Sequence, residues 1–367
     1  MSATIGVLGT GWRAEYFLRI ASLLPERFTV AGILTRSEES AERAAARWAV
    51  PTTTDWDEFV GQAEYDWVVV SVPWDAAPVL TRRFVERGTP VLCETPPAPD
   101  LDGLRQLWAD LGPDAPVQVA EQYVHQPHHA ARIAVARSGL LGRIGHATFS
   151  SAHGYHGVSL LRAALGVGFD PVSVTAMNFD DPVLKVRGRD DWPDEIESAV
   201  ALRVIATLRW GDRIGIHDFN GEQYTSPIRR RHVHLTGERG ELFDDEVVHV
   251  VGPGQVAHGR LHREQAGVDG DLEGHFLRSI TLGERVVYRS EFGRARLNDD
   301  ELAVARVMAG MDEFVRTGTP IYPLADACHD HYLNELMDRA RKGGGKVVSE
   351  PQPWGDQRSL FDQDSSH

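Results

Sequence analysis

Apolar and polar positions alternate between two rhythms in the first third of the chain. Short unbroken apolar runs open at Ile5 and recur at 28–34, 66–72, 90–94 and 117–121, while 12–24, 76–87 and 100–111 carry apolar residues at helical spacing. Runs of the first kind predict strands buried on both faces and stretches of the second kind predict helices, so the segment reads as a strand–helix alternation with a parallel sheet. After about residue 123 the rhythm changes. Helices are expected near 129–138 and 158–165, and strands near 144–151, 199–210 and 232–237, which fits a mainly antiparallel sheet with helices on one face. Residues 252–274, rich in Gly and His, read as a loop; 324–341 reads as a helix stopping before Gly343-Gly344-Gly345. The division expected is a dinucleotide-binding domain at 1–122, a substrate-binding and oligomerisation domain at 123–355, and a polar, frayed tail at 356–367.

Length and charge narrow the picture. At 367 residues the chain is long for one core and suits two domains with a cleft. A net charge of −15 argues against nucleic acid or an anionic membrane as partner, because either would need a basic surface. The two cysteines, Cys93 and Cys328, allow at most one bridge and have no metal-finger spacing. No long uncharged apolar run or signal peptide is read, since Arg13, Glu15 and Arg19 interrupt the first helix, and a cytoplasmic protein is expected. His125, His128 and His129 lack an accompanying carboxylate or cysteine set, so no metal is expected.

The candidate chemistry begins where the first strand ends. Gly9-Thr10-Gly11-Trp12-Arg13-Ala14 supplies a glycine for the tight turn, a glycine for close approach to a pyrophosphate, and a small residue for packing the next helix on the strand. The second strand ends in Thr35-Arg36-Ser37 with no acid to accept from an NAD ribose, which favours the 2′-phosphate of NADP over NAD. Arg36 stacked on adenine would still allow NAD.

These features join others in a recognisable order: Ser71-Val72-Pro73, Gly88-Thr89-Pro90-Val91-Leu92-Cys93-Glu94, Ser138-Gly139-Leu140-Leu141-Gly142-Arg143-Ile144, and His156-Gly157-Val158-Ser159-Leu160-Leu161-Arg162. In that order and spacing the chain resembles the glucose-fructose oxidoreductase, inositol dehydrogenase and rhizopine-catabolism family, Gfo/Idh/MocA. The resemblance implies an α/β protein with an N-terminal Rossmann domain and a C-terminal α/β domain with a large, mainly antiparallel open sheet. It also implies a nicotinamide cofactor, hydride exchange with a carbohydrate-like alcohol or ketone, and a homodimer or homotetramer. It places Pro73, Glu94 and Gln122 beside the cofactor with Gly9, Thr10, Gly11, Trp12, Arg13, Thr35, Arg36 and Ser37, and Glu121 and Tyr123 near the substrate.

The departures bear on mechanism. Glu94-Thr95-Pro96 stands where the family writes Glu-Lys-Pro, and the only lysines of the chain are Lys185, Lys342 and Lys346. Thr95 can hydrogen-bond but carries no charge. The family's aspartates four before and three after the catalytic histidine are Ala152 and Ser159, so His156 alone survives as acid/base. His153 and Tyr155 are candidate substrate contacts, and Tyr123 with Thr95 completes the candidate catalytic set. Gln223-Tyr224 and Arg229-Arg230-Arg231 leave open a solvated edge, a subunit contact or a substrate clamp. The activity expected is an NAD(P)-dependent oxidoreductase of a sugar, cyclitol or related polyol. A redox-assisted glycosidase that retains its cofactor and a catalytically degenerate cofactor-binding regulator are the alternatives.

Overall fold

The computed structural model describes residues 2–187, 195–271, 273–293 and 295–362. The first domain runs β1 (Ala3–Leu8), α1 (Trp12–Leu23), β2 (Phe28–Leu34), α2 (Glu38–Trp48), β3 (Thr52–Thr53), α3 (Trp56–Gly61), β4 (Trp67–Val70), α4 (Ala77–Glu86), β5 (Val91–Cys93), α5 (Leu101–Leu111) and β6 (Val117–Val119). Its six strands are parallel in the order β3-β2-β1-β4-β5-β6. This is the Rossmann order, in which ligands bind beyond the strand ends where the order reverses, here at β1 and β4. The continuous apolar runs are explained by burial on both faces: Trp67–Val70 and Val91–Cys93 have no exposed surface. α2 had no counterpart in the hydrophobic pattern, because only Ala41 and Ala44 of its eleven residues are buried and it is held by the Ser37 cap and exposed charges.

The second domain continues α6 (Pro127–Arg137), β7 (Ile144–Ser150), α7 (Gly154–Leu165), β8 (Ser173–Lys185), β9 (Glu197–Trp210), β10 (Arg213–Asn220), β11 (His232–Gly237), β12 (Gly240–Phe243), β13 (Glu246–Gly252), β14 (Gln255–Ala266), β15 (Phe276–Leu282), β16 (Arg285–Arg289), α8 (Asp299–Thr317), α9 (Leu324–Gly343) and β17 (Val347–Val348). An eleven-stranded sheet results, antiparallel except for the β7–β10 pair. One face packs under helices through Phe149, Leu208, Val233, Leu235 and Leu242, all without exposed surface. On the opposite face Met177, Phe179, Phe243, Val250 and Val256 are exposed.

Two expectations are corrected. Residues 252–274 are not a loop: 255–266 form β14, paired to β13 and β15 across a turn at Gly254, whose φ of +68° suits glycine. The alternation was masked because β14 is mostly solvent-facing, with only Leu261 and Ala266 buried. Nor is the tail frayed as far as residue 362. Phe361 is buried, the Leu360 amide donates to Asp326 at 2.9 Å, and the tail end at 363–367 lies outside the described residues.

Helix α7 is fixed from two sides. Arg162, without exposed surface, donates to Asp330 at 2.6 Å and Asp326 at 2.7 Å on α9 and to Ser359 at 3.1 Å. At the other end of the helix a side chain on Gly157 would collide with His217 of β10, so only glycine permits this approach.

Candidate active site

A cleft of about 950 Å³ opens between the β1–α1 and β5–α5 connections of the first domain and the β7–α7 connection of the second. It gathers Trp12, Arg13, Glu94, Thr95, Gln122, Tyr123, His153, Tyr155 and His156, so most of the site residues expected from the sequence meet in one place. Thr35, Arg36, Ser37 and Pro73 lie outside its lining. Arg36, Ser37 and Pro73 are exposed at strand ends, Thr35 is buried against Thr10, and the Ser37 hydroxyl accepts from the Ser40 amide as the cap of α2.

The two glycines of the first turn do different work. Gly9 has φ +100°, and a Cβ there would lie 2.0 Å from the Ser71 carbonyl oxygen, so this position is dictated by the fold. A Cβ on Gly11 would meet nothing within 4 Å. Gly11 begins α1 with no side-chain cap and open space beside it, the kind of helix start that receives a phosphate. The residues present therefore fit a dinucleotide.

Across the cleft, His156 Nδ1 and Glu121 Oε2 are 2.5 Å apart, with 5% and 2% of the residues exposed. Burial pushes the Glu121 carboxyl up, to about 8, and pushes the imidazole down, so the pair favours its uncharged forms. Because Nδ1 faces Glu121, Nε2 is the ring nitrogen left for a ligand. Tyr123 and Tyr155 pack tilted against the imidazole at ring-centre distances of 4.3 and 4.4 Å. Tyr123 and Tyr155 thus wall the imidazole from two sides. The Tyr224 hydroxyl meets His153 Nδ1 at 2.6 Å, and the Thr95 hydroxyl donates to Glu94 at 3.3 Å.

Glu94 closes the first-domain side. One of its oxygens accepts from Arg13 Nε at 2.9 Å and Nη2 at 2.7 Å, and the other accepts from the Thr95 amide at 2.9 Å. A second carboxylate, Asp300 at the start of α8, lies 3.8 Å from Arg13. The cleft therefore holds a cation even without the family lysine. Arg13 was expected beside the cofactor, but its pairing with Asp300 was not, because Asp300 comes from a helix far along the chain. Trp74, 53% exposed, faces the cleft with Trp12, 54% exposed; the sequence signal for Trp74 was its place just beyond β4.

Residues 3–112 match the family model described as oxidoreductase family, NAD-binding Rossmann fold, GFO_IDH_MocA. That match is confined to the first domain. The whole chain shares its fold with a myo-inositol dehydrogenase from Corynebacterium glutamicum ATCC 13032, at 17% identity and TM-score 0.67 over 96% of this chain and 100% of that one. It is similarly related to levoglucosan dehydrogenase in complex with NADH and L-sorbose, at 15% identity and TM-score 0.67 over 96% and 100% of the two chains. An oxidoreductase from Agrobacterium radiobacter in complex with NAD+, L-tartaric acid and magnesium matches at 15% identity and TM-score 0.67 over 95% and 98%. No curated protein matches the chain. These likenesses in fold extend over both domains. Among the described residues no helix is long and apolar enough to cross a membrane, and no group of three or more His, Cys, Asp or Glu side chains could hold a metal ion.

Proposed function

We propose that the protein is an NAD(P)-dependent oxidoreductase of a sugar, cyclitol or related polyol, with His156 as the acid/base. The observation that carries this reading is the buried His156–Glu121 contact of 2.5 Å in the wall of a cleft whose far side is the dinucleotide turn. A nicotinamide dinucleotide, when bound, supplies or accepts the hydride. Gly11 and the first-turn amides of α1 hold its phosphates, and Thr35 with Arg36 receives a 2′-phosphate in the NADP form.

During oxidation of an alcohol, once Glu121 has released its proton, Nε2 of His156 takes the hydroxyl proton while Nδ1 passes its own to the Glu121 carboxylate. The imidazole ends neutral, as its burial demands, and the carboxyl ends protonated, as its raised pKa of about 8 favours. Ketone reduction runs the same relay backwards. Thr95 and Tyr155 orient the substrate oxygen, and His153 is a further contact. The family-model match of residues 3–112 and neighbours of the same fold solved with NADH or NAD+ support the reading.

Calorimetric titration with NADH and NADPH, followed by turnover on a panel of sugars and cyclitols, tests it. Saturable cofactor binding, tighter for NADPH, and net change in nicotinamide absorbance with a polyol are expected. Gly11→Asp should abolish binding without unfolding, since a side chain there meets only open space. Cofactor binding with no turnover, or aglycone release without net absorbance change, would replace this reading by the regulator or the glycosidase.

A further inference from the structure

Beside the cleft, under the helix-covered face of the large sheet, lies a second cavity of about 350 Å³. His129 of α6 and Ser151 at the end of β7 line it, with 1% and 2% of their surface exposed. Neither His129 ring nitrogen nor the Ser151 hydroxyl has a hydrogen-bond partner among the described residues. Leaving such groups buried and unpaired is costly, so a set of them aimed into one cavity points to a ligand.

The wall also shows which ligand chemistry fits. Its carboxylates are already engaged: Asp245 accepts from Arg132 at 3.1 Å, and Asp299 accepts from both arms of Arg263 at 2.8 and 2.9 Å. What remains uncommitted is chiefly donors. These are the second amino group of Arg132, the ring of His129, the hydroxyl of Ser151, and Arg231, which forms no ion pair among the described residues. A pocket of unused donors around guanidinium groups suits an oxyanion. Arg231 lines both this cavity and the cleft of His156, so the two volumes meet at one side chain.

We infer that this cavity seats the oxyanion of a substrate whose hydroxylated end lies against His156, which makes the substrate an acidic or phosphorylated polyol rather than a neutral sugar. The inference rests on the oxidoreductase reading above and narrows its substrate class. A carboxylate or a phosphate ester presents the same acceptor oxygens to Arg231, Ser151 and His129.

The test is calorimetry on the NADH-saturated protein with inorganic phosphate, D-glucuronate, D-glucose 6-phosphate and D-glucose. At least one anionic polyol should bind about tenfold or more tightly than glucose, the scale of one charge-assisted contact. Arg231→Gln should remove that preference and weaken phosphate binding, while Arg230→Gln, the neighbouring charge loss, should change neither. The better of glucuronate and glucose 6-phosphate identifies the anion. No saturable binding of any anion, equal affinity for glucose and both anionic polyols, or a preference that Arg231→Gln leaves intact would overturn the inference. NADH affinity is measured first and separately, so failure of the oxidoreductase reading shows there and failure of the anion pocket shows only in the later titrations.

Discussion

Arg13 and Glu94, 81 residues apart in sequence, are joined by two hydrogen bonds to a single carboxylate oxygen, which ties the dinucleotide turn to the end of β5. Both side chains are largely shielded, at 16% and 12% exposure, so their attraction is weakly screened by solvent. A double-mutant cycle with Arg13→Gln and Glu94→Gln, read by chemical denaturation, should give a coupling of about 1–3 kcal/mol. A coupling below about 0.5 kcal/mol would place the pair among ordinary surface contacts.

His156→Ala should lower turnover by about 10²–10⁴-fold, as for loss of a general acid/base, and leave NADH affinity unchanged. The wild-type oxidation rate should rise as pH passes about 8, where the pair releases its proton, and Glu121→Gln should retain cofactor binding but lose that rise. Steady-state rates across that range decide the matter, and an identical profile in the variant would exclude Glu121 from the relay.

The same pair predicts how stability responds to pH. Glu121 releases its proton near its ordinary value of 4.5 when unfolded and near about 8 when folded, so between these values the native state binds more protons. Its contribution is full below about 4.5 and is lost as pH rises through about 8. Above 6.5 the imidazole, lowered on folding, is mostly neutral in both states and contributes little slope. Relative to Glu121→Gln, the wild type should therefore lose stability between pH 6.5 and 8, by at most about 1.4 kcal/mol per pH unit. Parallel melting curves of the two proteins over that window would contradict this.

Removing Arg162 strands Asp326 and Asp330 in a site with no solvent access. Arg162→Met should cost about 3–5 kcal/mol, the scale for breaking a buried charge pair from one side. Differential scanning calorimetry gives the value, and a loss under about 1 kcal/mol would mean that the aspartates find other partners.

The open face of the large sheet, with Met177, Phe179, Phe243, Val250 and Val256 exposed, predicts self-association through that face. Sedimentation at micromolar concentration should show a dimer or tetramer, and Phe179→Lys with Val256→Lys should shift it toward the 40.6 kDa monomer.

The Rossmann half was readable because β4 and β5 are buried on both faces and write themselves as uninterrupted apolar runs. β14 was hidden for the opposite reason: a strand with two solvent-facing sides keeps its pairing but has no pressure to alternate. Among the site residues, Gly9, Gly11, Glu121 and His156 were visible from local motifs. The contact that completes the site, Arg13 with Asp300, crosses between domains, and a one-dimensional pattern holds no trace of it. Arg162 appeared only as the last residue of a family motif, with nothing to show that aspartates on α9 would surround it.

The position of those aspartates has a bearing on biosynthesis. Arg162 must wait for Asp326, Asp330 and Ser359, which follow it by 164, 168 and 197 residues, before its charge is compensated. The helix carrying His156 therefore reaches its final setting only after nearly the whole chain has left the ribosome. A stalled or C-terminally clipped product would retain an intact nucleotide-binding half without a finished proton relay.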